Sequence, residues 1–406
     1  MTTQWFPDVK DVPDKNRLLH RLLIGTHTSE GKPNYVQIAE IEIPKSIEPN
    51  PDDYDEDRGE IGGYGNKSSS GEPPVIKFNI TQKIDHPGEV NKARYQPQNP
   101  DVLATLSVDG KVLIFNRSKH SMIPTGTPNP DMELIGHKEE GFGLHWNPHE
   151  AGLLATGSED KTVLLWYANS YAPYQKSTAN AYSRDLNSAT GKTLKPSQKY
   201  THHKHIVNDV QHHPIVKSFI GSVSDDLTLQ VIDIRSPETD RAAVVARDGH
   251  TDAINALAWN PSQEVIVATA SADKTIGIWD LRNLKQKIHT LEGHNDAVTS
   301  LSWHPKEPSI LGSGSYDRRL IFWDLSRVGE EQTPEDAEDG PPELLFMHGG
   351  HTNHLADFSW NLNDSWLVCS AAEDNLLEIW KVSSSIISQD IADMPANELG
   401  ANSTTD

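Results

Sequence analysis

Six times along this chain a histidine is followed nine residues later by a ring side chain, 23 later by an aspartate and 29 later by a large apolar residue. Four copies are strict: His137, Trp146, Asp160, Trp166; His250, Trp259, Asp273, Trp279; His294, Trp303, Asp317, Trp323; and His351, Trp360, Asp374, Trp380. Two hold the register with substitutions: His86, Tyr95, Asp109, Phe115, and His203, His212, Asp226, Ile232. Chance does not place six copies in one register, so the chain is built from an internal repeat.

The unit itself reads as strands. Between His294 and Asp324, VTSLSW alternates apolar and polar residues, SILGSGS is a short apolar run, and RRLIFWD is a third strand. HPKEP and YDRR mark the turns between them. A small sheet of this kind buries both faces only against neighbours, so the units must stack. Repeats starting near 86, 137, 203, 250, 294 and 351 give six blades. The runs at 21–26, 35–44 and 75–84 add an irregular first blade within 1–85. The expectation is an all-β, seven-bladed β-propeller over 1–382 with a polar tail over 383–406. A ring has to close, and TTQWF near the start is the expected completing strand of the last blade, which would remove an exposed sheet edge.

Gly249-His250, Gly293-His294, Trp279-Asp280 and Trp323-Asp324 resemble the signatures of the WD-repeat (WD40) family. That resemblance implies that the repeat His, Asp and Trp bond through a hydroxyl of the middle strand, with Thr156 or Ser158, Ser271 and Ser315 as the matching hydroxyls. His137, Asp160, Trp166, His250, Asp273, Trp279, His294, Asp317 and Trp323 are then structural. No Ser-His-Asp or Cys-His set separates from these repeat residues, so no enzyme is expected. The histidines of THHKHIVNDVQHHP (201–214) fall largely in the repeat register, and no metal or cofactor is expected there. Thr190-Gly191-Lys192-Thr193 lacks the first glycine of a phosphate loop, with Leu186 in its place.

The charge balance narrows the partners. With 58 acidic and 36 basic residues the net charge is -22, which argues against a nucleic-acid surface and favours a basic partner. The single cysteine, Cys369, sits in an apolar run and reads as core. No apolar run is long enough for a membrane helix, and the first residues lack a signal-peptide core, so an intracellular protein is expected. Three insertions interrupt the repeats. Residues 45–74 hold seven carboxylates between Glu48 and Glu60, 168–200 are polar with scattered tyrosines, and 327–348 put an acidic run beside LLF. Carboxylates next to apolar residues suit a basic amphipathic helix.

Longer segments are more specific. EVNKARYQPQNP (89–100), GHKEEGFGLHWNP (136–148), WDLRNLKQK (279–287), GEEQTPEDAEDGPPELLFMHGGHT (329–352) and AAEDN (371–375) closely resemble the retinoblastoma-associated histone-chaperone family. Its members are small WD-repeat subunits of chromatin-assembly factor, of the type B histone acetyltransferase, and of Polycomb, deacetylase and remodelling complexes. The resemblance covers residues 5 to about 382. It implies a non-catalytic subunit of the nucleus and cytoplasm that presents histones H4 and H3 to a catalytic acetyltransferase subunit, with chromatin-assembly or Polycomb/deacetylase complexes as alternatives. It transfers an H4 groove onto Asp336, Asp339, Phe346 and Met347. It transfers a channel-mouth site for an H3-type tail onto Glu89, Asn91, Glu140, Phe142, Asn208, Asn255, Glu373 and Asn375. Asn208, Ala297 and Thr299 depart from acidic or aromatic residues of the best-known members, which implies a weaker H3 site. The family's N-terminal helix is not matched, and the sequence starts about where the strand after it begins, so H4 binding is expected to be weak. A reading of another class rests on Trp279-Asp280-Leu281-Arg282, which fits the box of cullin-ligase substrate receptors.

Overall fold

The computed structural model describes residues 2–13, 16–28, 31–45, 54–55, 60–61, 77–168, 193–338, 340–383 and 386. The unit read from the sequence folds as expected. Val298–Trp303 pairs antiparallel with Ile310–Ser315, that strand with Leu320–Asp324, and that one with Leu344–His348. Between the second and third strands the chain turns through a left-handed residue at the same step of successive blades: Gly110, Lys161, Leu227, Lys274, Arg318 and Asn375.

Seven such sheets form the propeller. Arg17–Gly25, Asn34–Pro44 and Lys77–His86 belong to blade one, as their apolar runs require. Blades two to seven begin with the inner strands Val90–Gln96, Gly141–Trp146, Val207–His212, Ile254–Trp259, Val298–Trp303 and Leu355–Trp360. Thr193–Leu194, at the end of the polar insertion, adds a parallel strand to the outer edge of blade two. Among the described residues blade seven has three strands.

The core is distributed between blades, not within one centre. Seven apolar clusters each join two neighbouring blades. Trp146 and Trp166 lie between blades two and three, Trp303 and Trp323 between five and six, and Phe322 stacks on Trp360 between six and seven. Cys369 is buried between blades seven and one, as its apolar run indicates.

The expectation for TTQWF is corrected. Thr2–Val12 pairs with Arg17–Gly25 and is the innermost strand of blade one, not the completing strand of blade seven. The reason is two-sided burial. Trp5 packs towards blade seven and Phe6 towards blade two, both almost fully enclosed, and an inner strand is covered on both faces. The ring closes here through side chains. Thr2 Oγ1 and Thr3 N–H donate to Asp357 at 2.8 and 3.1 Å, and Trp5 N–H donates to Ser359 Oγ at 3.1 Å.

The repeat residues form the expected bonded sets, with one correction. In blade six Trp323 Nε1 donates to Ser313 Oγ, which also meets His294 Nε2, both at 2.8 Å, and His294 Nδ1 meets Asp317 at 2.9 Å. Thr269 serves Trp279 and His250 in the same way, and Thr156 serves Trp166 and His137. The hydroxyls are thus Thr156, Thr269 and Ser313, two residues before Ser158, Ser271 and Ser315. Those three serines lie on the same strand face but bond the loop, Ser271 to the Asp252 carbonyl and Ser315 to that of Asp296, each at 3.0 Å. Burial alone would push the Asp273 carboxyl up, but the Thr275 hydroxyl, the Thr251 N–H and His250 hold it at about 2.

Candidate functional site

Each inner strand of blades two to seven carries a bulge at its second residue: Asn91, Phe142, Asn208, Asn255, Thr299 and Ala356. A bulge adds one residue and re-aims its side chain. Here it turns these side chains towards the next blade at one mouth of a central channel of about 1270 Å³.

Three of the expected site asparagines are committed to the fold. Asn91 Nδ2 donates to the Gly141 carbonyl at 3.2 Å, Asn208 Nδ2 to that of Ile254 at 2.9 Å, and Asn255 Nδ2 to that of Val298 at 2.9 Å. Thr299 Oγ1 does the same to Leu355 at 3.3 Å. Inner-strand tryptophans stitch in the opposite direction. Trp146, Trp259, Trp303 and Trp360 donate to the carbonyls of Arg94, Gln211, Ala258 and Ser302 in the preceding blade.

Phe142 occupies the bulge of blade three and makes no such bond. It stands 40% exposed at the mouth. Beside it the field is negative. Glu140 accepts from Asn91 Nδ2 at 2.7 Å. Asp225 accepts from Asn208 Nδ2 at 2.7 Å. Burial, with Glu140, Glu139 and Asp225 nearby, pushes the Glu159 carboxyl above its ordinary value. Adding a cation relieves such like-charge crowding.

Across the mouth, Glu373 lies 3.5 Å from His354 Nδ1, and His354 stacks on Tyr316 at 4.6 Å. Burial, Glu373 and Asp296 push the Tyr316 phenol up. Asn375, Asn91, Asn208, Asn255, Phe142 and Glu373 all line the channel, whereas Glu89 does not. Sequence reasoning missed Tyr316, Glu159 and Asp225. Each directly precedes a repeat aspartate, as Glu373 does, so aligning that column of the repeat would have exposed them. Deeper in the channel Arg94 and Lys92 reach Asp357 at 3.0 and 3.7 Å. Burial would raise the Asp357 carboxyl, and these two cations hold it at about 2.

The second expected site lies on the outer side of blade six. Asp336 opens a short 3-10 turn, is exposed, and accepts from Thr333 Oγ1 at 2.7 Å. Asp339 lies outside the described residues. The apolar LLF run belongs to the fourth strand of the blade, Leu344–His348. Neighbours in a strand point to opposite faces. Accordingly Phe346 packs with Trp380 and Phe322 towards blade seven, at 5.8 and 6.0 Å between ring centres, while Met347 packs towards blade five. The structure therefore joins Phe346 to Trp380, not to Met347. Arg282 of the Trp-Asp-Leu-Arg box is forked onto its own Asp280 at 2.9 and 2.5 Å.

Comparison with known proteins agrees with this architecture. The family model described as "WD domain, G-beta repeat" matches residues 129–167, 243–280, 285–324 and 342–381. A second family model, that of the histone-binding protein RBBP4 and its counterpart in the CAF1 complex, matches residues 1–45. Proteins named histone acetyltransferase type B subunit 2 are similar over nearly the whole chain. The one from Neurospora crassa is 73% identical over 98% of this chain and 86% of its own length. Those from Gibberella zeae and Aspergillus oryzae are 67% and 63% identical, over 98% and 99% of this chain and 88% of their own lengths in both cases. A seven-bladed ring, the repeat networks and identity at this level over almost every residue lead to one assignment: the chain belongs to the histone acetyltransferase type B subunit 2 family of WD-repeat proteins.

Proposed function

We propose that this protein is the non-catalytic histone-binding subunit of a type B histone acetyltransferase, acting in the nucleus and cytoplasm. It holds basic histone segments, of H4 and of H3, for a catalytic partner that carries the chemistry. The carrying observation is the channel mouth, where Glu139, Glu140, Glu159 and Asp225 crowd beside the exposed ring of Phe142. A lysine- or arginine-rich tail supplies the missing positive charge, and its alkyl stems can lie on the aromatic ring. The match of residues 1–45 to a histone-binding family model and the names of the relatives support the same reading. The repeat histidines and aspartates are consumed by structural bonds, which supports a subunit without its own catalysis.

Isothermal titration with an H3-tail peptide and an H4 first-helix peptide tests this. Binding of the H3 peptide is expected, weakening more than about tenfold in Glu140→Lys with Glu159→Lys, in line with the effect of reversing charge at a desolvated contact. Affinity unchanged by that pair would remove the channel mouth from the proposal.

A further inference from the structure

Blade seven departs from the bonding pattern of the other strict repeats. Its histidine, His351, keeps the hydroxyl bond, Nε2 to Ser370 Oγ at 2.7 Å. Its aspartate does not face it. Asp374 instead accepts from the Thr352 hydroxyl and from Leu376 N–H. His351 Nδ1 is consequently buried with no hydrogen-bond partner, although Nδ1 of His137, His250 and His294 each meets an aspartate.

Two side chains gather at this altered position. Glu378, on the third strand of blade seven, brings Oε2 within 3.4 Å of His351 Nε2 and 3.6 Å of His348 Nε2. His348 comes from the outer strand of blade six, lies flat on Trp380 at 4.1 Å and 6°, and also has a buried Nδ1 without a partner. One donor atom from each of the three residues lies within 4.8 Å of the others. Gly350 keeps the space open, because a Cβ there would come within 2.8 Å of His348 Cε1 and 3.0 Å of Glu378 Oε2. His351 is enclosed, while the side chains of His348 and Glu378 are 18% and 28% exposed, which leaves a path from solvent.

We propose that His348, His351 and Glu378 form a binding site for a zinc-class divalent cation that clamps blade six to blade seven. Two imidazoles and one carboxylate are the donor set of a three-ligand zinc site, with a fourth position open to water. Zinc bonds of about 2.0–2.1 Å in a tetrahedron put neighbouring donors about 3.3–3.5 Å apart, and the two Glu378 distances are within a few tenths of that. The Ser370 bond fixes the His351 ring, the outer-shell contact that ligand histidines use. Nitrogen donors favour zinc, cobalt or nickel over calcium or magnesium. The ion would take the place that the repeat aspartate fills elsewhere and would join two blades through side chains of both.

The test uses the full chain, freed of metal with a chelator, and zinc chloride as the probe. One equivalent of zinc is expected to bind with micromolar or tighter affinity and to raise Tm, since an ion that binds only the folded state stabilises it by mass action. Cobalt should give the visible absorption of a tetrahedral site. Glu378→Gln and His348→Ala should each weaken zinc binding by at least about tenfold and abolish the Tm shift. His205→Ala, in the other histidine-rich segment, should leave both intact. His351 is not varied, because its bond to Ser370 is part of the blade. Absence of one-equivalent binding in the wild type, or binding unchanged in Glu378→Gln and His348→Ala, overturns the proposal.

Discussion

Asn255 on the inner strand of blade five donates its side-chain amide to the carbonyl of Val298, the first residue of the inner strand of blade six, at 2.9 Å. In return Trp303 of blade six donates to the Ala258 carbonyl of blade five at 3.0 Å. The two bonds lock one interface from both sides.

Asn255→Ala leaves the Val298 carbonyl without this donor. A lost buried hydrogen bond typically costs about 1–3 kcal/mol, so the urea midpoint should fall accordingly. Affinity for a basic tail should change little, because the Asn255 amide already serves the fold. Strong loss of tail binding with no loss of stability would reverse that assignment.

The two aspartates of blades six and seven should behave differently despite equal places in the repeat. Asp317 bonds His294, Asn295 N–H and Arg319 N–H, at 2.9 to 3.0 Å. Asp317→Ala should destabilise by about 2–4 kcal/mol, from several broken bonds in one half-buried network. Asp374 is partly open to solvent and does not meet His351, so Asp374→Ala should stay within about 1 kcal/mol of wild type. Calorimetry on the two variants decides.

Acid should weaken the fold before carboxylates protonate. Burial lowers His86, His145 and His304 to about 4 and His202 to about 3. The unfolded chain takes up protons at these sites first, near 6.5. Their contribution is therefore full above about pH 6.5 and is lost as pH falls towards 4. The depressed Asp273 and Asp357, both at about 2, add a further loss below about pH 4. The urea midpoint should decline steadily from pH 7 to 5; a flat profile there would contradict the buried neutral histidines.

Leu227 turns at φ 63°, where the equivalent residue of blade two is Gly110 at φ 74°. A branched side chain is strained in this left-handed region and glycine is not. Leu227→Gly should cost nothing and should gain up to about 1 kcal/mol, read as a rise in Tm.

The repeat made the blades legible, because register survives even where Ile232 replaces a tryptophan. Orientation was harder. Whether Asn208 or Asn255 faces a ligand or the next blade depends on a one-residue bulge, which alternation of period two does not reveal. Ser271 and Thr269 share a strand face, so pattern alone could not say which hydroxyl meets His250. Thr2–Val12 reads as a strand in either blade, and only the opposed burial of Trp5 and Phe6 assigns it. By contrast, the separation of Phe346 from Met347 follows from strand geometry and could have been read in advance. Tyr316 and His354 meet across two blades from positions 38 residues apart, a juxtaposition that closure of the fold creates.

The seam at Asp357 has a consequence for how the molecule comes apart. In an open stack of repeats the terminal units have one neighbour each and can fray singly. Here Asp357 of blade seven takes bonds from Thr2 and Thr3 of blade one and from Arg94 of blade two, so no blade is terminal. Releasing any blade breaks two interfaces at once. Hydrogen exchange of the inner strands should then slow uniformly around the ring, and Asp357→Ala should turn that single event into fraying that starts at blades one and seven.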